Sequence, residues 1–326
     1  MKDNEYYGPI ADGYTLFGLQ LNTQLGYQIN KNLSIEAGVF LRKDFGNKKF
    51  DDILPTFSLR YTKKDFKMIF GNLDGSLNHG LLEPLYNFER VITNRLESGA
   101  QFILNKRYID VDAWIDWQNA IYKGAAGSEK IWTGVSSNLL KVKSGKFEFK
   151  IPFQFTILHS GGQIDTGKAL FYTHWNFDGG LRVKYNVNAR HVQNILIDAR
   201  YVGKVDYAFN PVQSQSNGSG FMGNIGFTAF NTDVLFSYWQ GHNYTSDYGG
   251  FLYSSASSTV SYANTFENIR NLIIMRVTKR LRLADRVLLT LRAEPYYDLR
   301  LHLLEYSFGF YISLDEQVWF KKAPKS

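Results

Sequence analysis

Apolar and polar residues alternate with a period of two along nearly the whole chain, and no other feature constrains the fold so tightly. Successive side chains of an extended strand point to opposite faces, so this period means strands with one apolar and one polar face. From 147 to 156, Phe147, Phe149, Ile151, Phe153 and Phe155 oppose Glu148, Lys150, Gln154 and Thr156. From 109 to 118, Ile109, Val111, Ala113, Ile115 and Trp117 oppose Asp110, Asp112, Trp114, Asp116 and Gln118. The pattern predicts strands over 14–30, 33–44, 52–62, 66–73, 96–105, 108–119, 130–142, 147–159, 175–187, 194–203, 219–229, 233–242, 268–281, 285–297 and 302–314, the last running toward 320. Most reach the roughly 9–11 residues that a tilted strand needs to cross a bilayer.

The links between these strands are sorted by length. Short ones fall at 30–32, 63–65, 105–107, 144–146, 188–190, 231–232 and 284–285. Longer ones, at 45–51, 74–95, 120–129, 160–174, 204–218 and 243–267, alternate with them. Short periplasmic turns and long extracellular loops are the habit of outer-membrane barrels. The expectation is an all-β chain, a transmembrane antiparallel up-and-down β-barrel of about 14–16 strands, forming a single domain over 1–326. Strand 14–30 then runs from the outside inward. An even strand count therefore calls for one more upward strand before residue 10, giving sixteen, and an N-terminal extension is expected to supply it.

Composition narrows the alternatives. Aromatic residues make up 16% of the chain, which suits pleated, half-apolar strands and not disorder. There is no cysteine, so disulfides and thiolate metal sites are excluded. The net charge of +7 is spread over strand-like segments and not gathered in one run, so no nucleic-acid partner is expected. No stretch is apolar for long enough to make a transmembrane helix. Met1-Lys2-Asp3-Asn4-Glu5 lacks the apolar core of a signal peptide, so the sequence reads as a mature, re-cloned or truncated form of an exported protein.

A barrel turns its polar faces inward, which marks the candidate site residues. The basic pore-lining candidates are Arg182, Lys184, Arg270, Arg276, Arg280, Arg286 and Arg292, and the acidic ones are Asp110, Asp112, Asp116 and Glu148. If the acidic and basic strands face each other, they set a transverse field that selects ions. The alternative is lateral pairing that braces the wall. So many charges imply a wet lumen. The loop 74–95, with Asp74, His79, Glu83 and Glu89 among several leucines, is a candidate constriction or a packed cap.

Catalytic signals are sparse. His159 and Ser160 are adjacent, but neighbours on a strand point to opposite faces and make a poor base–nucleophile pair. The remaining histidines have no metal spacing, and no phosphate loop or dinucleotide fingerprint is present. No enzyme activity, cofactor or metal is expected from these patterns.

The alternation, the loop asymmetry and the aromatic final strand EYSFGFYISL resemble the porin-like outer-membrane barrels of Gram-negative bacteria. That resemblance implies an integral outer-membrane protein in contact with lipid and lipopolysaccharide, passing small hydrophilic solutes through a charged lumen. A closed barrel serving as a binding or scaffold subunit is the alternative, with a homo-oligomer or another envelope protein as partner. A lipid-modifying barrel enzyme is the third reading. The C-terminus departs from the porin pattern by continuing past Trp319 and Phe320.

Overall fold

The computed structural model describes residues 1–74, 79–124, 127–162, 171–187, 189, 191–208 and 217–314. Seventeen strands form one antiparallel sheet curled into a nearly closed barrel. In chain order they are β1 (Lys2–Glu5), β2 (Thr15–Leu16), β3 (Gly18–Asn30), β4 (Leu33–Asp44), β5 (Asp52–Lys63), β6 (Phe66–Asn72), β7 (Ser98–Asn105), β8 (Asp110–Asn119), β9 (Lys130–Ser144), β10 (Phe147–Ser160), β11 (Tyr172–Asn186), β12 (Val192–Ala208), β13 (Gly218–Ala229), β14 (Thr232–His242), β15 (Ile269–Ala284), β16 (Val287–Asp298) and β17 (Leu303–Leu314). The expected continuation of the last strand toward 320, and the tail beyond it, lie outside the described residues.

All fifteen strands expected from alternation are present, and β12 extends furthest beyond its expected end. β2 and β3 are one pass interrupted at Phe17, so the seventeen segments make fifteen passes of the wall and the short β1. The upward strand that parity assigned to an N-terminal extension is supplied instead by β1, four residues of the chain itself. It pairs with β17 (Lys2 with Gly309, Glu5 with Tyr306) and with β2 (Lys2 with Leu16), and through it the two ends of the sheet meet.

Loop sorting breaks at the last hairpin. β16 and β17 are joined on the long-loop end by the tight turn 299–302. The Asp298 carboxylate accepts the N–H groups of Arg300 (2.9 Å) and Leu301 (3.0 Å), and His302 adopts φ 56°. An Asp side chain that caps its own turn removes the need for a longer link.

The long loops fold into the barrel instead of standing above it. Leu81, Leu85 and Tyr86 from one loop, and Tyr244, Tyr248, Leu252 and Tyr253 from another, are buried in a single apolar cluster. The cluster reaches Trp114, Trp132 and Leu158 on one side of the wall and Trp239, Leu272, Ile274 and Tyr296 on the other. On the remaining side, a helical turn α1 (Arg90–Thr93) lies against the inner face of β3 and β4. Gln20 there donates to the carbonyl of Ile92 (2.6 Å), and Arg42 to that of Thr93. At this level the barrel is packed, with contacts to walls on all sides. Burying this many aromatic rings is a large part of what holds the loops in place.

Candidate active site

β1 joins the interior to the exterior. Its inward residues Lys2 and Asn4 are buried, as is Tyr6 just beyond it. All of its inward polar contacts converge on Glu89, at the start of α1. Lys2 donates its ammonium to Glu89, Asn4 donates its amide to the same oxygen (2.7 Å), and the Tyr14 hydroxyl donates to the other. Burial pushes the Glu89 carboxyl up, but Lys2 and these donors outweigh it and hold it below the usual carboxylate range. The plug therefore fixes the strand from inside.

The outward residues of β1 are Asp3 and Glu5. Asp3 lies between Phe308 of β17 and Thr15 of β2 on the same face, and Glu5 lies beside Tyr306. Asp3 accepts the hydroxyl proton of Thr15, and Glu5 that of Tyr7. Tyr7 is 77% exposed. The loop after β1 is held down by Glu305, which accepts the N–H groups of Tyr7 and Gly8 and the hydroxyl of Tyr296.

The surroundings make this pair unusual. Neighbouring outward residues are Phe17, Leu19 and Leu21 on one side and Leu304, Tyr306, Phe308, Phe310 and Ile312 on the other, all well exposed on the lipid-facing wall. Among the described strand residues, Asp3 and Glu5 are the only carboxylates on the outer wall. An ionisable group facing lipid is costly, and where it persists it marks function. Chemically, the site offers two carboxylates, each fixed by a hydroxyl, at the height of an apolar belt. Among the described residues no group of three or more His, Asp or Glu side chains is placed to hold a metal ion.

The residues singled out from sequence lie elsewhere and mostly pair locally. Arg276 and Arg292 share Glu83 of the loop and Glu294 of β16. Arg270 pairs with Asp298 (2.6 Å) and Glu267 (3.0 Å), and Arg182 pairs with Asp198 (2.6 Å). Arg280 meets Asp233 (2.7 Å), and Lys143 meets Glu148 (3.5 Å), which stands opposite Lys184 on the next strand. Asp110 contacts Lys141 (3.1 Å), and Asp116 accepts the Ser98 N–H (2.8 Å). Asp74 binds Arg60 and Lys67. Arg286 sits in the β15–β16 turn with φ 67°, and not within a strand.

His79 is fully enclosed. Its ring stacks on Trp114 at 3.8 Å, with Glu97 on one nitrogen (2.6 Å) and Asp112 on the other (2.8 Å). Burial would lower its pKa, but the two carboxylates overcome that and raise it to about 9. It is a charged latch between the plug and the wall. His159 and Ser160 are separated as expected: Ser160 is buried inside, while His159 contacts Thr173 (2.9 Å).

Sequence reading missed Asp3 and Glu5. The run Lys2-Asp3-Asn4-Glu5 has no apolar face, so periodicity could not mark it as a strand. Parity called for one more upward strand, but that strand was expected in an N-terminal extension and not in this run.

Solved structures of similar shape are outer-membrane proteins. A loop-deleted OmpT of Vibrio cholerae superposes with TM-score 0.53 at 13% identity, covering 95% of this chain and 94% of that one. OmpF of Salmonella typhi, in complex with daunomycin, gives 0.51 at 10% identity over 96% and 94%. An anion-selective porin from Comamonas acidovorans gives 0.50 at 8% over 96% of both chains. At these identities the likeness concerns fold alone. No curated protein matches the sequence. The profile of the lipid A 3'-O-deacylase-type family matches residues 1–323. This match corrects the expectation that the chain is not an enzyme. The physical reason for the miss is that the chain carries none of the sequence-local catalytic motifs by which an enzyme is read from sequence. The chain is an integral outer-membrane β-barrel and belongs to the lipid A 3'-O-deacylase-type family.

Proposed function

We propose that the protein hydrolyses an acyl ester of a lipid A-type glycolipid, at the outer wall of β1. The observation that carries this is the placement of Asp3 and Glu5, the lone outward carboxylates of the described strands, inside an apolar belt. A glycolipid in the membrane reaches that wall laterally, with no need to enter the barrel.

The chemistry requires a base, a water and a place for the sugar. Asp3, oriented by the Thr15 hydroxyl, takes a proton from water as the water oxygen adds to the acyl carbonyl. The tetrahedral adduct collapses, and the sugar alkoxide leaves with the proton held by Asp3. Water and ester thus become a free fatty acid and a sugar hydroxyl. Glu5 and Tyr7, one step nearer the outer end, are placed to bind hydroxyls of the headgroup.

The test uses purified, folded protein in vesicles containing lipopolysaccharide, with released fatty acid and the mass of the remaining lipid A measured by mass spectrometry. Asp3→Asn is expected to lower release by about 10²–10⁴-fold. No release by the folded wild type, or an Asp3→Asn variant at the wild-type rate, overturns the proposal.

The passive-channel reading has less support. The apolar cluster spans the barrel between opposite walls. A chamber beside it, lined in part by Lys2, Tyr14, Glu83 and Tyr253, measures about 30 Å³.

A further inference from the structure

The short-turn half of the lumen gathers cations on three neighbouring strands. The inner faces of β9, β10 and β11 present Lys141, Lys143, Lys150, Arg182 and Lys184. Lys150 stands in register between Lys141 and Arg182, and Glu148 between Lys143 and Lys184. The alternate residues Phe147, Phe149 and Ile151 are exposed on the lipid side, so Glu148 and Lys150 face the lumen.

The carboxylates that face this patch are already engaged. Asp110 takes Lys141 (3.1 Å) and the side-chain amide of Asn138 (2.7 Å). Glu148 takes Lys143 (3.5 Å) and the side-chain amide of Asn186 (3.0 Å). One oxygen of Asp198 accepts Nε (3.0 Å) and Nη2 (2.6 Å) of Arg182, and the other accepts Nε of Arg200 (2.8 Å), which also pairs with Asp178. Lys150 and Lys184 are both half-buried. Among the described residues neither makes a hydrogen bond or an ion pair, although Lys184 lies near enough to Glu148 to feel its charge. Like charges directly opposite on paired strands are unfavourable, and Lys150 has one on each side. A cation drawn partly out of water with no partner adds to that cost. Both costs fall when an anion from solution sits between these side chains.

We propose that Lys150, Lys184 and Arg182 form a binding site for a phosphate dianion inside the barrel, entered from the periplasm. Two unpaired ammonium groups match the two charges of the dianion. Arg182 adds the terminal nitrogen that Asp198 leaves unused, and a guanidinium suits the several acceptor oxygens of a phosphate. The direction of entry follows from the plug, which fills the long-loop half of the barrel and leaves the short-turn end as the way in. Lys143 stands at that end with 70% of its side chain exposed, placed to draw anions toward the site. The strand wall separates the patch from lipid, so the occupant is a water-soluble phosphate, either the inorganic ion or a phosphate ester. The patch shares no residue with the β1 wall and does not depend on hydrolysis there.

The test is a calorimetric titration of the purified, folded full chain in detergent micelles at low ionic strength. Inorganic phosphate and glucose 6-phosphate are the two probes, and glucose is the neutral control. Saturable binding of both phosphates is expected, weakening as added salt screens it. Lys150→Gln and Lys184→Gln should each weaken it by about tenfold, the worth of one charged hydrogen bond. Lys150→Arg keeps the charge and should retain binding, as should Lys31→Gln on a separate short turn. Tighter binding of the ester names a phosphorylated solute as the occupant, and tighter binding of the inorganic ion names free phosphate. Unfolding midpoints separate a lost site from a lost fold: phosphate should raise the midpoint of the wild type and leave that of Lys150→Gln in place. Should one glutamine variant fail to fold, the other decides. No saturable binding by the folded wild type overturns the site. So does wild-type affinity in either folded glutamine variant, or glucose binding as tightly as its phosphate.

Discussion

Glu89 and Asp3 lie on either side of one four-residue strand, and they are held in opposite ways. Glu89 sits inside, buried, against the Lys2 ammonium and two further donors. Asp3 sits outside, against the Thr15 hydroxyl, and no cation among the described residues pairs with it. The contrast recurs at several inner carboxylates. Inside, Glu294 meets Arg276 and Arg292, Asp178 meets Arg200, and Asp298 meets Arg270. A carboxylate that is buried must be paired, because an isolated one costs several kcal/mol. These inner carboxylates are thus accounted for by structure. The outer pair is not, since removing both would leave a smoother lipid-facing wall. The two faces of β1 are nevertheless linked, because the plug that holds Lys2 and Asn4 also fixes the direction in which Asp3 and Glu5 point.

Substitutions can break this contrast or sharpen it. The largest effect is expected at Asp3→Asn. Its loss of about 10²–10⁴ in rate should come with no loss of thermal stability, measured on the same vesicles. Loss of the fold instead would mean that the outer carboxylate is structural and that the two faces do not differ. Next is Glu294→Ala, which leaves two buried guanidinium groups with only Glu83. It should destabilise the barrel by about 3–5 kcal/mol in a denaturant titration.

The His79 latch comes third. Its pKa rises from 6.5 to about 9 in the folded protein. A raised value means that the protonated form is favoured by folding, so its contribution is complete below about pH 6.5 and is lost as pH rises through about 9. The stake is on the order of 3 kcal/mol, read as a falling unfolding midpoint between those pH values. His79→Gln should flatten that slope, and a slope that survives the substitution would clear His79 of the role. The smallest effect is expected at Arg280→Ala. The Arg280–Asp233 pair is half exposed, with 57% and 42% of the two side chains accessible. Such pairs contribute about 0–1 kcal/mol, so no change beyond that is expected in the same titration.

The wall was largely readable from sequence because alternation is a local property. Phe147 to Phe155 must face one way and Glu148 to Thr156 the other in any extended conformation, and lipid outside requires the apolar face outward. Parity called for a sixteenth strand but assigned it to an N-terminal extension, because the four polar residues of β1 have no periodic signal of their own. The candidate site was not readable. Asp3 and Glu5 look like any solvated N-terminal charges until β1 is seen paired between β17 and β2, which turns them to lipid. The arginines chosen from sequence were chosen for facing inward, and inward charges in this barrel mostly find partners on loops and adjacent strands.

The sequence by itself determined fifteen strands of an all-β wall with an apolar outside, since period, strand length and link length are encoded within each hairpin. Only the tertiary structure decided that the loops fill the barrel and that β1 closes it with two carboxylates facing out. Those facts depend on contacts between residues far apart in the chain, Glu89 with Lys2 and Glu305 with Tyr7, and no local pattern carries such pairings.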